Sequence, residues 1–283
     1  MYHGNLFSFL LGLILNNKQI IWNIRGPYDK KLTKISTKII VNICILISKI
    51  FKIKIIYNSN FALKSHTKIG FNSEYSFMIH NGYEFKNKII KRENLFTKIN
   101  FNECFIIGNV ARYDSHKDHY NLFSSLYLLK KKNINFKLFI IGENINYKNN
   151  NLTKLISNFK LNDNIIIFRT RTNLDNFYSL LDIHILSSIS ESFPNVVAES
   201  MSLTIPSIST DVGDVKYLIN KYGWLVPKNN PEKMCQAIID VIKFKSDIKQ
   251  WQIIKKKCNE HIIKNFSIES TIKKYNLCWA KKI

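Results

Sequence analysis

Short apolar, β-branched runs alternate with longer segments of helical periodicity along most of the chain. Residues 19–25, 54–58 and 75–79 read as strands, separated by a helix over about 31–51 and a shorter one over 61–68. The apolar run 6–15 places a further helix directly after Met1. Asn81-Gly82 is a turn signal, and the polar, basic, aperiodic stretch 86–102 behind it reads as a linker. The alternation then restarts with strand 104–110, helix 117–132, strand 136–141, helix 152–159 and strand 165–168. It continues with helix 174–181, strand 183–187, helix 194–202 and strand 207–210. Trp224, Leu225 and Val226 fit a last short strand ahead of a helical stretch over 231–265. Strands apolar on both faces in strict β–α alternation imply a parallel sheet, so the fold class is α/β.

Counting strands divides the chain unevenly. The second run of elements is a complete doubly wound domain, whereas the stretch before residue 86 supplies three strands of the roughly six such a sheet usually carries. The expected organisation is a partial Rossmann-like domain over 1–90 and a full one from 91 onward. No internal repeat at solenoid periods is visible.

Composition narrows the classes without naming a partner. With 46 % hydrophobic and 13 % aromatic residues the 283-residue chain can bury a core, which excludes wholesale disorder. The formal charge of +22 invites a nucleic-acid reading, but only five of the 42 basic residues are arginine. Lys, Asn and Ile rise together, as at Asn149, Asn150 and Asn151 and at Ile165, Ile166 and Ile167, which marks a background bias. No aromatic-basic module is recognisable, so nucleic acid ranks last among partners. Cys44, Cys104, Cys235, Cys258 and Cys278 are odd in number, widely spaced and without a C-x-x-C, against a disulfide framework or zinc site and for a reducing compartment. Residues 1–5 lack the basic region of a signal peptide. The most apolar stretch elsewhere, 39–47, is shorter than the ~20 residues a membrane span needs. The expected location is therefore cytoplasmic, including the inner face of the plasma membrane.

In an open α/β sheet ligands bind outside the carboxyl ends of the strands, so the polar residues there carry the candidate chemistry. Gly108-Asn109-Val110-Ala111-Arg112 leaves one strand, and Lys117 follows in what reads as the first turn of a helix. Two cations near a helix N-terminus suit a diphosphate, because amide donors and the macrodipole add to fixed charge. Taken alone, they are equally well read as ordinary surface cations. Another strand exit runs from Ser187 through Glu191, Ser192, Phe193, Pro194 and Asn195 to Glu199, with Pro194 suited to the first helical position. Two carboxylates at such a strand end can each accept hydrogen bonds from vicinal hydroxyls, a sugar-recognition device. Thr210-Asp211-Val212-Gly213-Asp214 is a Gly turn leaving a third strand.

Arg112 with Lys117, the E-x7-E from Glu191 to Glu199, and the turn from Thr210 to Asp214, in this order, resemble a family-four, retaining glycosyltransferase (glycosyl transferases group 1) of the GT-B fold. Trp22-Asn23-Ile24-Arg25-Gly26, Tyr57-Asn58-Ser59 with His66 and Gly70, and His80-Asn81-Gly82 resemble the end of that family's N-terminal domain. The resemblance implies two Rossmann-like domains facing across a cleft, the first one incomplete, with a nucleotide-sugar domain over 91–266 and a helix over 267–283 crossing back. It implies that Arg112 and Lys117 hold the donor diphosphate, and that Glu191 with the backbone of Phe193, Pro194 and Asn195 contacts sugar and phosphate. Glu199 would accept from the ribose, the base would lie near Arg169-Thr170-Arg171, and His3 would face the donor sugar. The implied partners are a UDP- or GDP-linked sugar and a saccharide or lipid-linked saccharide acceptor, in capsule, O-antigen or lipopolysaccharide synthesis. No metal and no other cofactor is implied.

Departures are local: Pro194 stands where many members have Gly, and Ser202-Leu203-Thr204-Ile205-Pro206 replaces a smaller-residue turn. The larger one is the absent glycine-rich loop of the first domain. A GT-B-like sugar-nucleotide epimerase and a truncated, inactive nucleotide-sugar-binding remnant are the alternatives. His116 and His119 have metal-compatible spacing but no third ligand. Lys30, Lys31, Lys34 and Lys38 run beside Leu32, Ile35, Ile39 and Ile40, which reads either as a peripheral contact with an anionic membrane or as a core stripe with solvated lysines.

Overall fold

The structure is a computed structural model that describes residues 1–16, 19–30, 33–84, 104–168 and 173–280. The stretch read as a linker, 86–102, lies outside the described residues. Two compact units are present: Met1–Glu84 with Glu191–Pro194 and Phe266–Ile283, and Phe85–Ser190 with Asn195–Asn265.

The first unit carries α1 (Tyr2–Ile14), β1 (Ile21–Ile24), α2 (Ile35–Ile50), β2 (Lys54–Tyr57), α3 (Asn60–Lys68) and β3 (Ser76–Met78). The three strands form a parallel sheet in the order β1-β2-β3. Alternation along β2 sends side chains to both faces. Ile55 and Tyr57 join Trp22, Ile24 and the buried faces of α1 and α2 (Tyr2, Phe9, Val41, Cys44, Ile47). Ile56 packs instead with Ile79 and with Cys278 of the chain's final helix. Lys54 is buried and donates from Nζ to the Cys278 carbonyl at 3.0 Å, the partner that makes its burial tolerable.

The second unit follows β–α alternation: β4 (Phe105–Val110), α4 (His119–Lys131), β5 (Phe136–Ile141), α5 (Asn150–Asn158), β6 (Ile165–Ile167), α6 (Leu174–Ser179) and β7 (Ile183–Leu186). Then come α7 (Asn195–Ser202), β8 (Ser207–Thr210), α8 (Val215–Ile219), β9 (Trp224–Val226), α9 (Pro231–Lys245) and α10 (Ile248–Phe266). The final helix of the first unit is α11 (Ile268–Ala280). All strands are parallel, in the order β6-β5-β4-β7-β8-β9, the doubly wound arrangement expected of buried apolar strands. The core on one face is built from Phe105, Ile107, Leu122, Leu126, Leu138 and Ile140 with neighbours from α5 and α9.

The helix read over 231–265 is two helices. Ser246 closes α9, and Asp247 accepts from the Gln250 amide at 3.0 Å to start α10, a local cap that outcompetes helix continuation. The helix read from 117 begins later, at His119. Asp118 takes the left-handed conformation (φ 47°) and its side chain accepts from the Asn121 amide at 3.1 Å, leaving Ser115–Lys117 as a separate 3-10 turn. α7 starts at Asn195, so Pro194 precedes the helix.

Candidate functional site

The strand order reverses between β4 and β7, because β5 and β6 lie on one side of β4 while β8 and β9 continue beyond β7. A crevice at the carboxyl ends of those two strands is the ligand position of an open α/β sheet. Its opening is visible in the ladder. β4 pairs with β7 only at Ile107↔Ile183 and Gly108↔His184, after which the strands part. Beyond that point the buried Asn109 side chain bridges them, donating from Nδ2 to the Ile185 carbonyl at 2.9 Å.

The loop leaving β4 is held on both sides. Gly142, just past β5, lies so close that a Cβ there would sit 1.9 Å from the Ala111 carbonyl oxygen. The Tyr113 amide donates to the Glu143 carbonyl at 2.9 Å. Gly142→Ala is therefore expected to lower stability by about 2–3 kcal/mol, since backbone cannot yield as a side chain can. A denaturant midpoint checks it, and an unshifted midpoint would contradict the close approach. From the β7 side, Ser187 Oγ donates to the Lys117 carbonyl at 2.7 Å and the Ile189 amide to the His116 carbonyl at 2.8 Å. The two strand exits are thus fastened together.

On this rim Arg112 is exposed and pairs with Asp114 at 3.3 Å. Asp114 also caps the 3-10 turn, accepting from the His116 amide at 2.9 Å. Lys117 ends that turn, half-buried, two residues ahead of α4 rather than within its first turn. Both predicted diphosphate cations thus belong to one braced loop at the switch point. His116 is exposed beside Asp114, whereas His119 is buried against the rings of Tyr113 and Phe123. The spacing of three does not aim them at one ion. Among the described residues no group of three or more His, Cys, Asp or Glu is arranged to hold a metal.

Glu199, on α7, is half-buried, and Tyr178 Oη donates to its Oε2 at 3.2 Å and to the Val196 carbonyl at 3.3 Å. Burial holds its carboxyl above the ordinary glutamate pKa, the Tyr178 hydrogen bond opposes that, and Asp175 adds to it. Asn195 is exposed at the start of α7.

Glu191, Phe193 and Pro194 group with the first unit. The ring of Phe193 is spent on packing: it stacks on His80 at 4.8 Å and meets Phe266 at 5.5 Å, which leaves its main chain as the part able to meet a ligand. Beside it Ser192 Oγ donates to Asn58 Oδ1 at 2.8 Å and bonds Ser59 Oγ at 2.6 Å, and Ser59 Oγ accepts from the Ala62 amide. Donor order then runs from the Ala62 amide through Ser59 and Ser192 to Asn58, a buried relay with every proton placed. Ser192 carried no role in the sequence reading. Its partners are more than 130 positions away, so no local pattern reveals it. His3 is exposed in the first turn of α1. Arg171, with Arg169 and Thr170, lies outside the described residues.

Comparison with known proteins gives the chain a family. Residues 91–258 match the family model described as Glycosyl transferases group 1. The chain is 29 % identical over 208 residues to an uncharacterized glycosyltransferase of Methanocaldococcus jannaschii, covering 69 % of this chain and 48 % of that protein. It is 28 % identical over 207 residues to the capsular polysaccharide biosynthesis glycosyltransferase CapM of Staphylococcus aureus, covering 71 % and 52 %. The chain thus spans about half the length of the curated relatives it matches. Among solved structures, Anabaena HepE in complex with UDP and glucose superposes with a TM-score of 0.85 at 13 % identity, over 100 % of this chain and 76 % of that one, a likeness of fold. With two parallel α/β sheets of the GT-B kind and a family match over most of the second unit, the chain belongs to the glycosyl transferases group 1 family.

Proposed function

We propose that the chain moves a glycosyl group, with retention, from a nucleotide-diphosphate sugar to an acceptor hydroxyl in the synthesis of a bacterial surface polysaccharide. The observation that carries this reading is the braced switch-point rim, which sets Arg112 and Lys117 on one strand exit of a sheet whose next exit leads to Glu199. Supporting it are the naming of one relative for capsular polysaccharide biosynthesis and the UDP and glucose held by a structural neighbour. In this reading Arg112, Lys117 and the amides of Phe193, Pro194's successor Asn195 and Val196 neutralise the diphosphate as the sugar leaves. Glu199 accepts from the ribose hydroxyls. Arg171 lies toward the base, Glu191 and His3 hydrogen-bond the donor sugar, and the acceptor is a saccharide or lipid-linked saccharide. No metal or other cofactor enters the reading.

Glu199 supplies the test. Glu199→Gln is expected to lower kcat/KM about 30-fold with UDP- or GDP-sugars, the worth of about two charge-assisted hydrogen bonds weakened to neutral ones. The acid limb of kcat/KM should lie at higher pH than for a solvated carboxylate, because the protonated acid accepts poorly and burial raises its pKa. Tyr178→Phe removes the donor that favours the ionised form, so the limb should move higher still. Unchanged kcat/KM in Glu199→Gln would end the ribose assignment. Release of free nucleotide diphosphate without any glycosylated product would end the transferase reading.

A further inference from the structure

In α2 two apolar faces compete for one core. Val41, Cys44, Ile47 and Ser48 are buried. Ile35, Ile39, Ile43, Leu46 and Ile50 are instead 77 %, 57 %, 41 %, 60 % and 61 % exposed. At about 100° per residue those five fall within an arc of roughly 80°, a straight stripe along a helix roughly 24 Å long. Single exposed apolar residues are ordinary, but a contiguous stripe is not. α1 packs beside α2 and itself exposes Phe7 and Ile14, at 62 % and 79 %.

Charge decides what such a face fits. Neither α1 nor α2 contains an Asp or Glu. Lys34, Lys38 and Lys49 flank one edge of the stripe, and Lys52 follows the end of the helix. An apolar stripe edged by lysines and free of acids is complementary to a hydrocarbon layer under anionic headgroups: the isoleucines enter while the lysine stems let their ammonium groups stay at the phosphates. No described helix is long and apolar enough to cross a membrane, so the mode is in-plane docking. Of the apolar residues that the sequence sets beside these lysines, Ile35 and Ile39 are exposed, Ile40 packs against the core, and Leu32 lies outside the described residues.

We propose that the α1–α2 face of the first unit docks onto an anionic lipid bilayer. The proposal rests on exposure and charge in that unit alone, and stands or falls apart from the transferase reading. The test is sedimentation of the full chain with phosphatidylcholine vesicles, with and without phosphatidylglycerol. Binding is expected to the anionic vesicles and to weaken at least tenfold from about 0.1 M to about 1 M salt, where the screening length shrinks from ~10 to ~3 Å. Lys34→Glu, Lys38→Glu and Lys49→Glu together should lower the partition coefficient about a hundredfold or more, as a roughly fivefold factor per lysine implies. Ile39→Asp with Leu46→Asp should do the same without shifting the thermal midpoint, both positions being exposed. The proposal is overturned if the wild-type chain ignores anionic vesicles, or binds them as well after these substitutions. It is equally overturned if the chain fails to sediment and Ile39→Asp instead dissolves a dimer, which would assign the face to a second copy.

Discussion

Removing both Arg112 and Lys117 side chains is expected to lower kcat/KM for sugar transfer about a thousandfold or more, with most of the loss in kcat. In the proposed transfer, charge builds on the diphosphate as its bond to the sugar breaks, so cations beside it would act more strongly on the transition state than on the bound donor. A single preorganised donor of this kind is worth roughly a hundredfold or more, and two that serve one leaving group add less than fully. Stability should hardly change. Arg112 is 65 % exposed and its pair with Asp114 is of the solvent-screened kind that contributes little. The bond that braces Lys117 goes to its carbonyl and survives the substitution. The double alanine variant should therefore melt with the wild type while failing to turn over. Arg112→Lys should recover only part of the loss, because an ammonium lacks the planar fork of the guanidinium. Steady-state kinetics beside a thermal melt decide the matter. A kcat/KM within threefold of wild type in the double variant would remove the diphosphate assignment, and a large drop in melting temperature would reassign the loss to folding.

What the chain discloses before folding depends on how local the cause is. β5 is legible to the residue, because a strand buried on both faces is a near-continuous apolar run; β8, Ser207-Ile208-Ser209-Thr210, is placed by its small and β-branched residues between two helical patterns rather than by apolarity. The doubly wound class followed from alternation, and with it the strand ends where Arg112, Lys117 and Glu199 stand. Less legible were events set by one backbone dihedral or one cap. Asp118 turning left-handed separates Lys117 from α4, Asp247 splits the long C-terminal helix, and α8 spans only Val215–Ile219, too short to show a period. Periodicity also marked α2 as a helix but did not say which of its two apolar faces would be buried. Long-range polar pairs were not legible at all. The Ser192 hydroxyl answers Asn58 and Ser59, and Ser187 answers a carbonyl 70 positions away, and neither leaves a trace in its own neighbourhood.

Acidification should destabilise both units from about pH 6.5 downward, because three histidines are held neutral by burial. His66 is pushed down to about 4, His119 to about 4 and His184 to about 3. The hydrogen bonds say why the neutral forms are kept. His66 Nδ1 faces the Ala62 carbonyl at 2.7 Å and so carries the proton, leaving Nε2 to accept from Tyr2 Oη at 2.8 Å. Protonating Nε2 would turn the Tyr2 hydroxyl from donor to acceptor and place a cation, shielded from water, in the core of the first unit. Among the described residues His119 has no hydrogen-bond partner at either ring nitrogen, and His184 has none at Nε2. An imidazolium at either place would be a buried, unpaired charge. The unfolded chain protonates these rings near pH 6.5 and the folded chain does not, so the unfolded state binds more protons and stability falls as pH drops below 6.5. Each histidine contributes about 1.4 kcal/mol per pH unit between that value and its folded pKa. At pH 4.5 the loss is about 3 kcal/mol from His66 in the first unit and about 5 kcal/mol from His119 and His184 in the second, comparable with the whole stability of an ordinary domain. Urea midpoints between pH 7 and 4.5 should fall accordingly, and a flat profile would contradict the neutral assignments. His119→Phe isolates one contribution. A phenyl ring keeps the packing against Tyr113 and Phe123 and removes two unpaired nitrogens, so it should raise stability at pH 7 by about 1 kcal/mol and cut the acid slope of the second unit by about half.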